Sequence, residues 1–309
     1  MAEKVTLREV GMRDGLQSLA PILSAEQKNA WCAAEHAAGV RHIEVTSFVP
    51  PKLLPMFADA KEVVEHALTL EDLTVSALVP NLKGAERGLA SGVHELSYVI
   101  SVSEGHSQSN VRRSTQESID DLVRVVQLRD GSEPGHGVRI IAGLATCFGC
   151  TIEGHVDEAR VLAVAERVLD LKPDMLMLAD TVGYANPASI RRIFGKVLDI
   201  AGDVPVAAHF HNTRGLGLAN VLAALDEGVR YFDASIGGLG GCPYAPGATG
   251  NIVMEDTAFM FEAMGLSTGI DLDRLLGVRR MVECLMSGIP LYGDVPKAGL
   301  PKNYVGRRC

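Results

Sequence analysis

Short runs rich in apolar and β-branched residues alternate along this chain with longer segments in which apolar positions recur every three to four residues. Eight runs are predicted as strands: VTLREV (5–10), RHIEVT (41–46), LTVSAL (73–78), HELSYVIS (94–101), VRIIAGLAT (138–146), DMLMLAD (174–180), VPVAAHF (204–210) and YFDASI (231–236). Eight is the number that closes a barrel. The segments between them read as helices. In SAEQKNAWCAAEHAAG, Ser24 is placed to cap the N-terminus with Gln27 three residues on, and Gly39 stops the helix. The pattern therefore predicts an α/β fold, a (β/α)8 TIM barrel with additional C-terminal helices in 252–290. Residues 1–290 would form the catalytic barrel domain and 291–309 an extended C-terminal tail. The segments 102–112 and 237–251 show no period and read as long loops, candidate lids. An open doubly wound sheet is the competing architecture, but no G-x-G-x-x-G follows the first strand.

Composition narrows the picture. With 309 residues, 47% of them hydrophobic and 22% charged, the chain can bury a large core. Lysine plus arginine is 29 against 38 acidic residues, a formal charge of −9 without a basic run, so nucleic acid is not an expected partner. MAEKVTLREV leads directly into a strand, and no stretch is apolar for long enough to span a bilayer, so a cytoplasmic protein without a membrane partner is expected. Six scattered cysteines (32, 147, 150, 242, 284, 309) suggest reduced thiols, and the C-x-x-C at 147–150 lacks a second pair for a zinc site.

Barrel enzymes build their sites at the C-terminal ends of strands, where this sequence places Arg13, Asp14, Glu44, Asp180, His209, His211, Cys242 and Asn251. His209 and His211, one residue apart on a strand, share a face and can reach one ion. Together with Asp14 and the amide oxygen of Asn251 they form a hard, oxygen-rich set with room for substrate, which favours Mg²⁺ or Mn²⁺ over a closed zinc site. The alternative is a hydrogen-bonded rim without metal.

These residues lie in EVGMRDGLQ (9–17), IEVTSFVPPK (43–52), HFHNTRGLGLAN (209–220) and GLGGCPYAPGATGN (238–251). Through them nearly the whole chain resembles the 3-hydroxy-3-methylglutaryl-CoA lyases, within a wider group of metal-dependent barrel lyases and acyl-CoA synthases. The resemblance implies an acyl-CoA thioester substrate, cleaved between C2 and C3 to acetyl-CoA and acetoacetate, and a homodimer. It also implies Asp14, His209, His211 and Asn251 as metal ligands, with Asp14 and His209 taking a catalytic part. Arg13 would lie against the thioester carbonyl, and Cys242, on a glycine-rich loop, would be the acid. Gln17, Glu44, Asp180 and Arg214 would bind substrate or support the site.

Asn212 and Arg214 stand where the mitochondrial-type lyases have aspartate and tyrosine. SVSEGHSQSNVRRS and TCFGCTIEG also depart from their pattern, so a citramalyl-CoA-type lyase giving pyruvate stays open. A Claisen-type synthase would share R-D-G and H-x-H, but the chain stops soon after the barrel. A non-catalytic thioester-binding protein would not need every catalytic position filled, as it is here.

Overall fold

Parallel hydrogen bonding joins the eight β-rich runs into one closed sheet in strand order β1 to β8. The strands of the computed structural model, which describes residues 2–240, 250–302 and 304, are β1 (Thr6–Glu9), β2 (His42–Ser47), β3 (Thr74–Leu78), β4 (Glu95–Ser101), β5 (Arg139–Ala145), β6 (Met175–Asp180), β7 (Val206–Phe210) and β8 (Tyr231–Ala234). Around them run α1 (Ala25–Ala37), α2 (Ala60–Ala67), α3 (Leu82–Ala90), α4 (Glu104–Val111), α5 (Thr115–Gly131), α6 (Glu158–Leu169), α7 (Pro187–Ala201) and α8 (Gly217–Asp226). The additional helices α9 (Met254–Ala263) and α10 (Leu272–Leu285) follow β8, as the sequence predicts, and a single turn, α11 (Val295–Ala298), comes after them. This is the expected (β/α)8 barrel. Among the described residues no helix is long and apolar enough to cross a membrane.

Alternation along each strand separates two environments. Leu7, Leu96, Leu178, Phe210 and Phe232 point out of the barrel into the main core. There Phe210 meets Phe194 of α7 edge-on at 5.9 Å, and Phe232 meets Phe261 of α9 at 5.3 Å. Their neighbours point to the axis, where the apolar content is small: Ile141, Met177 and Ala207. The rest of that axis is polar. Arg8 reaches across it to Ser97 Oγ (3.1 Å), Met177 Sδ (3.4 Å) and Asp233. Helix–sheet burial thus carries the stability, and the interior is left for chemistry.

The capping box of α1 is present: Ser24 accepts from the amide of Gln27, whose side chain accepts from the amide of Ser24. Gly39 follows at φ +96°, and such caps contribute about 1 kcal/mol. One expectation is corrected. The segment 102–112, read as an irregular loop, contains α4, whose N-terminus Ser103 caps by accepting from the amide of His106 at 3.2 Å. Its sequence EGHSQSNV is polar almost throughout, so the apolar period that marks a helix is missing, and the cap decides the conformation. Beyond 290, Tyr292 and Tyr304 are tied to the α9–α10 side. The amide of Tyr292 donates to Gly237 O at 2.8 Å, Arg279 donates to Tyr292 O at 2.6 Å, and Tyr304 lies 5.9 Å from Phe259.

Candidate active site

The end of β1 does not run straight into a loop. Gly11–Gly15 winds as one wide π-turn in which the carbonyl of Val10 accepts from the amides of Arg13 (3.1 Å), Asp14 (2.7 Å) and Gly15 (3.3 Å). Such turns recur at functional sites because they push side chains out of helical register. This one sets Arg13 and Asp14 side by side, both buried, with Arg13 Nη1 donating to Asp14 Oδ1 at 2.7 Å. Arg13 Nε donates to Glu44 Oε2. Glu44 lies where the β2–β3 register shifts between Glu44 and Thr46, an irregularity that re-aims side chains at barrel rims. Burial works against the charge of Arg13, but Glu44 and Asp14 outweigh it and keep the guanidinium protonated. Gln17 Nε2 donates to the same Asp14 oxygen at 2.8 Å.

Across the mouth, His209 is the penultimate residue of β7 and His211 follows the strand, both buried, with their Nε2 atoms 3.2 Å apart. His211 Nε2 is 3.8 Å from Asp14 Oδ2. Burial, reinforced by His209, pushes the His211 pKa down to about 4, so that ring is neutral at pH 7 and has a lone pair to offer. Burial also opposes ionisation of Asp14, yet Arg13 and both imidazoles hold its carboxyl below the usual range. His209 Nδ1 donates to Asp233 Oδ2 at 2.9 Å, which leaves the lone pair on Nε2, the nitrogen that faces His211. Asp233 is in turn gripped by Arg8 through two bonds of 2.8 Å. Neither Asp233 nor Arg8 was singled out in the sequence. Strand register brings them together, since Asp233 pairs with Arg8 on one side and His209 on the other. The only local signal was an acid inside the apolar run YFDASI.

Asn251 closes the ring. Its Nδ2 donates to Asp14 Oδ2 (2.6 Å) and to Leu239 O (2.8 Å), while its Oδ1 is buried without a hydrogen-bond partner among the described residues. Gly240, at φ +113°, passes so close that a Cβ there would collide with Asn251 Nδ2 and lie 2.7 Å from Asp14 Oδ2. Two further carboxylates support the backbone beneath. Glu9 accepts from the amides of Gly11 (2.6 Å) and Ile236 (3.0 Å), and Glu255 accepts from the amide of Gly237 (3.1 Å), so both sit under the turns that carry the site. Burial raises the Glu9 carboxyl to about 8. Trp31 of α1 seals the same place, donating to Glu35 Oε1 at 2.6 Å, with its ring 3.2 Å from where a Gly11 Cβ would stand.

The remaining expected residues lie further out. Asp180, at the end of β6, accepts from the amides of Tyr184 (2.8 Å) and Ala185 (3.0 Å) and shapes the loop there; burial raises its pKa to about 6 against those bonds. Arg214 stacks over the Tyr184 ring at 4.4 Å and donates to the carbonyls of Val182 and Gly183. Cys242 lies outside the described residues.

The cluster suits a divalent cation. One donor atom each from Asp14, His209 and His211 lie within 4.8 Å of one another, all on buried residues, and Asn251, in contact with Asp14 through its Nδ2, brings an Oδ1 without a partner among the described residues as a candidate fourth donor. Carboxylate, imidazole and amide donors beside a buried guanidinium equip the mouth to hold an oxygen-rich substrate and to stabilise a developing oxyanion.

Comparison with known proteins agrees with this geometry. A model of the HMGL-like family matches residues 4–282. A hydroxymethylglutaryl-CoA lyase of Bacillus subtilis is 39% identical over 289 residues, covering 94% of this chain and 95% of its own. An (R)-citramalyl-CoA lyase of Chloroflexus aurantiacus is 38% identical, covering 96% of this chain and 95% of its own. An HMG-CoA lyase of Acinetobacter baumannii, solved in complex with coenzyme A and 3-methylmalate, superposes with a TM-score of 0.90 at 38% identity, covering 98% of this chain and 97% of its own.

Proposed function

The chain belongs to the HMGL-like family, and from that premise we propose that it cleaves 3-hydroxy-3-methylglutaryl-CoA to acetyl-CoA and acetoacetate. The observation that carries this reading is the convergence of Asp14, His209 and His211 at the strand ends, beside a buried Arg13 that Glu44 holds in place. Asp14, His209, His211 and Asn251 would hold Mg²⁺ or Mn²⁺, whose charge lowers the pKa of a hydroxyl and draws electrons from an oxygen. Asp233 orients His209 for that task.

The reaction needs no co-reactant. The tertiary hydroxyl gives up its proton to a base of the rim, a part open to Asp14, whose carboxylate has lone pairs beyond the one lent to the ion, while His209 serves as ligand, and the C2–C3 bond breaks. C3 becomes the ketone of acetoacetate, and the electron pair passes into the enolate of acetyl-CoA. Arg13 offers that enolate oxygen a guanidinium already fixed by two carboxylates, so little reorganisation is required. Cys242 returns a proton to C2. Gln17, Glu44, Asp180 and Arg214 are proposed to position substrate or the groups that touch it.

A citramalyl-CoA lyase is the second reading, supported by the Chloroflexus aurantiacus relative, which is as similar as the others, and by Arg214. Incubating the protein with each thioester and Mn²⁺ separates the two: acetoacetate release supports the first, pyruvate the second, and turnover of neither removes both. We further propose a cytoplasmic homodimer. Leu218 and Leu222, one turn apart and exposed on α8, offer an apolar contact, and a concentration-independent monomer mass would overturn the dimer.

A further inference from the structure

At the other end of the barrel, where the strands begin, a cavity of about 290 Å³ opens to solvent. Its wall carries four permanent cations, Lys4, Arg8, Arg139 and Arg230, together with the His42 ring. The three carboxylates in the same wall are already engaged. Asp233 is held by Arg8 at 2.8 Å, Glu95 by Arg139 at 2.6 Å, and Asp174 by Arg129 at 2.8 Å. Glu3 pairs with Arg230 at 2.7 Å. Among the described residues the Lys4 ammonium has no ion pair and the His42 ring no hydrogen-bond partner.

We propose that this rear cavity binds a small multivalent oxyanion of the phosphate class. The Lys4 ammonium and the guanidinium N–H groups of Arg139 and Arg230 that their carboxylate partners leave open border a partly enclosed space and match such an ion in donor geometry, and the low-dielectric wall focuses their field. His42 reports the same field. Burial first, then Arg139, Arg8 and Lys4, push its pKa down to about 4, so it stays neutral beside Lys4, the cation of this wall without an ion pair among the described residues. Lys4 and Arg8 face it from the β1 side, Glu95 from β4, Arg139 from β5, and Arg230 and Asp233 from the β8 side. The space exceeds one phosphate, so bridging waters would accompany it. A floor made only of salt bridges would bind nothing saturably.

The experiment is calorimetric titration of inorganic phosphate into the full chain at pH 7 and low salt, without added divalent ion, repeated with saturating coenzyme A. One site per chain is expected, indifferent to coenzyme A and weakened at least about tenfold in Lys4→Gln and in Arg139→Gln by loss of a charge-assisted bond. The His42 imidazole, followed by NMR, should titrate at higher pH when phosphate is present, because an anion favours its charged form. If Arg139→Gln leaves Glu95 unpaired and fails to fold, Lys4→Gln and the His42 titration in the parent protein still decide. Absence of saturable binding would overturn the proposal. So would binding that Lys4→Gln leaves intact, or that coenzyme A displaces, because the ion would then sit at the opposite mouth.

Discussion

At the C-terminal ends of the strands, Asp14, His209 and His211 turn lone pairs toward one point, whereas at the N-terminal ends Lys4, Arg139 and Arg230 turn cations toward another. Both mouths are rich in charge, yet they differ in what remains unsatisfied. Among the described residues the groups left over at the front are acceptors, including Oδ1 of Asn251, and the group left over at the rear is an ammonium. Arg8 and Asp233 stand between them and belong to both walls. The difference comes from the turns rather than the sheet. The front owns the π-turn at 11–15 and a turn at 236–238 whose amides are held by buried carboxylates, and these bring backbone and side chains together.

The most severe way to break the comparison is to remove what the front is built to hold. Chelation, or His211→Ala, should abolish turnover while leaving the circular dichroism of the chain unchanged, and acid near pH 4, where the His211 ring takes up a proton, should release the ion. Full activity in metal-free protein would erase the distinction between the mouths. Arg13→Gln comes next: kcat should fall by about a hundred- to a thousandfold, on the order of 3 to 4 kcal/mol, with lysine a poor substitute for the planar fork. Near-normal kcat in that variant would reduce Arg13 to an ion-pair partner of Glu44.

Cys242→Ser should cost about a hundredfold in kcat with metal and substrate binding retained, since serine is far less acidic than a thiol. Parent-rate turnover would shift the proton donor elsewhere. The smallest expected effect concerns stability beneath the front. Burial raises the Glu9 carboxyl to about 8 from an ordinary 4.5, so the folded chain retains a proton that the unfolded chain has released. That contribution is fully present below pH 4.5 and is lost as pH rises toward 8. Urea midpoints of the parent should therefore fall between pH 5.5 and 8, and Glu9→Gln should flatten the decline. An equal slope in both proteins would assign the pH dependence to other groups.

Much of the barrel was legible because its outward face is apolar and alternates with a polar axis, so period and strand limits follow from one-dimensional pattern. The pairing of His209 with His211 was legible for the same reason, two residues on one face of a strand. Asp233 and Arg8 were not, because their meaning depends on which residue of the next strand lies opposite, a fact held in register and not in spacing. Glu9 was hidden differently. Its partners are backbone amides of turns that exist only once the barrel is closed. The helix at Glu104–Val111 escaped because a cap specifies it where apolar residues do not.

Trp31 is the only tryptophan of the chain, it is fully buried, and its indole lies against Gly11 at the start of the turn that carries Arg13 and Asp14. The protein therefore comes with an optical reporter of its own front mouth. All of its intrinsic indole emission arises from one ring hydrogen-bonded to a carboxylate, so a red shift on denaturation tracks the opening of that turn without any introduced label. Quenching by acrylamide measures how tightly α1 closes over it, in a signal to which the rear of the barrel contributes nothing.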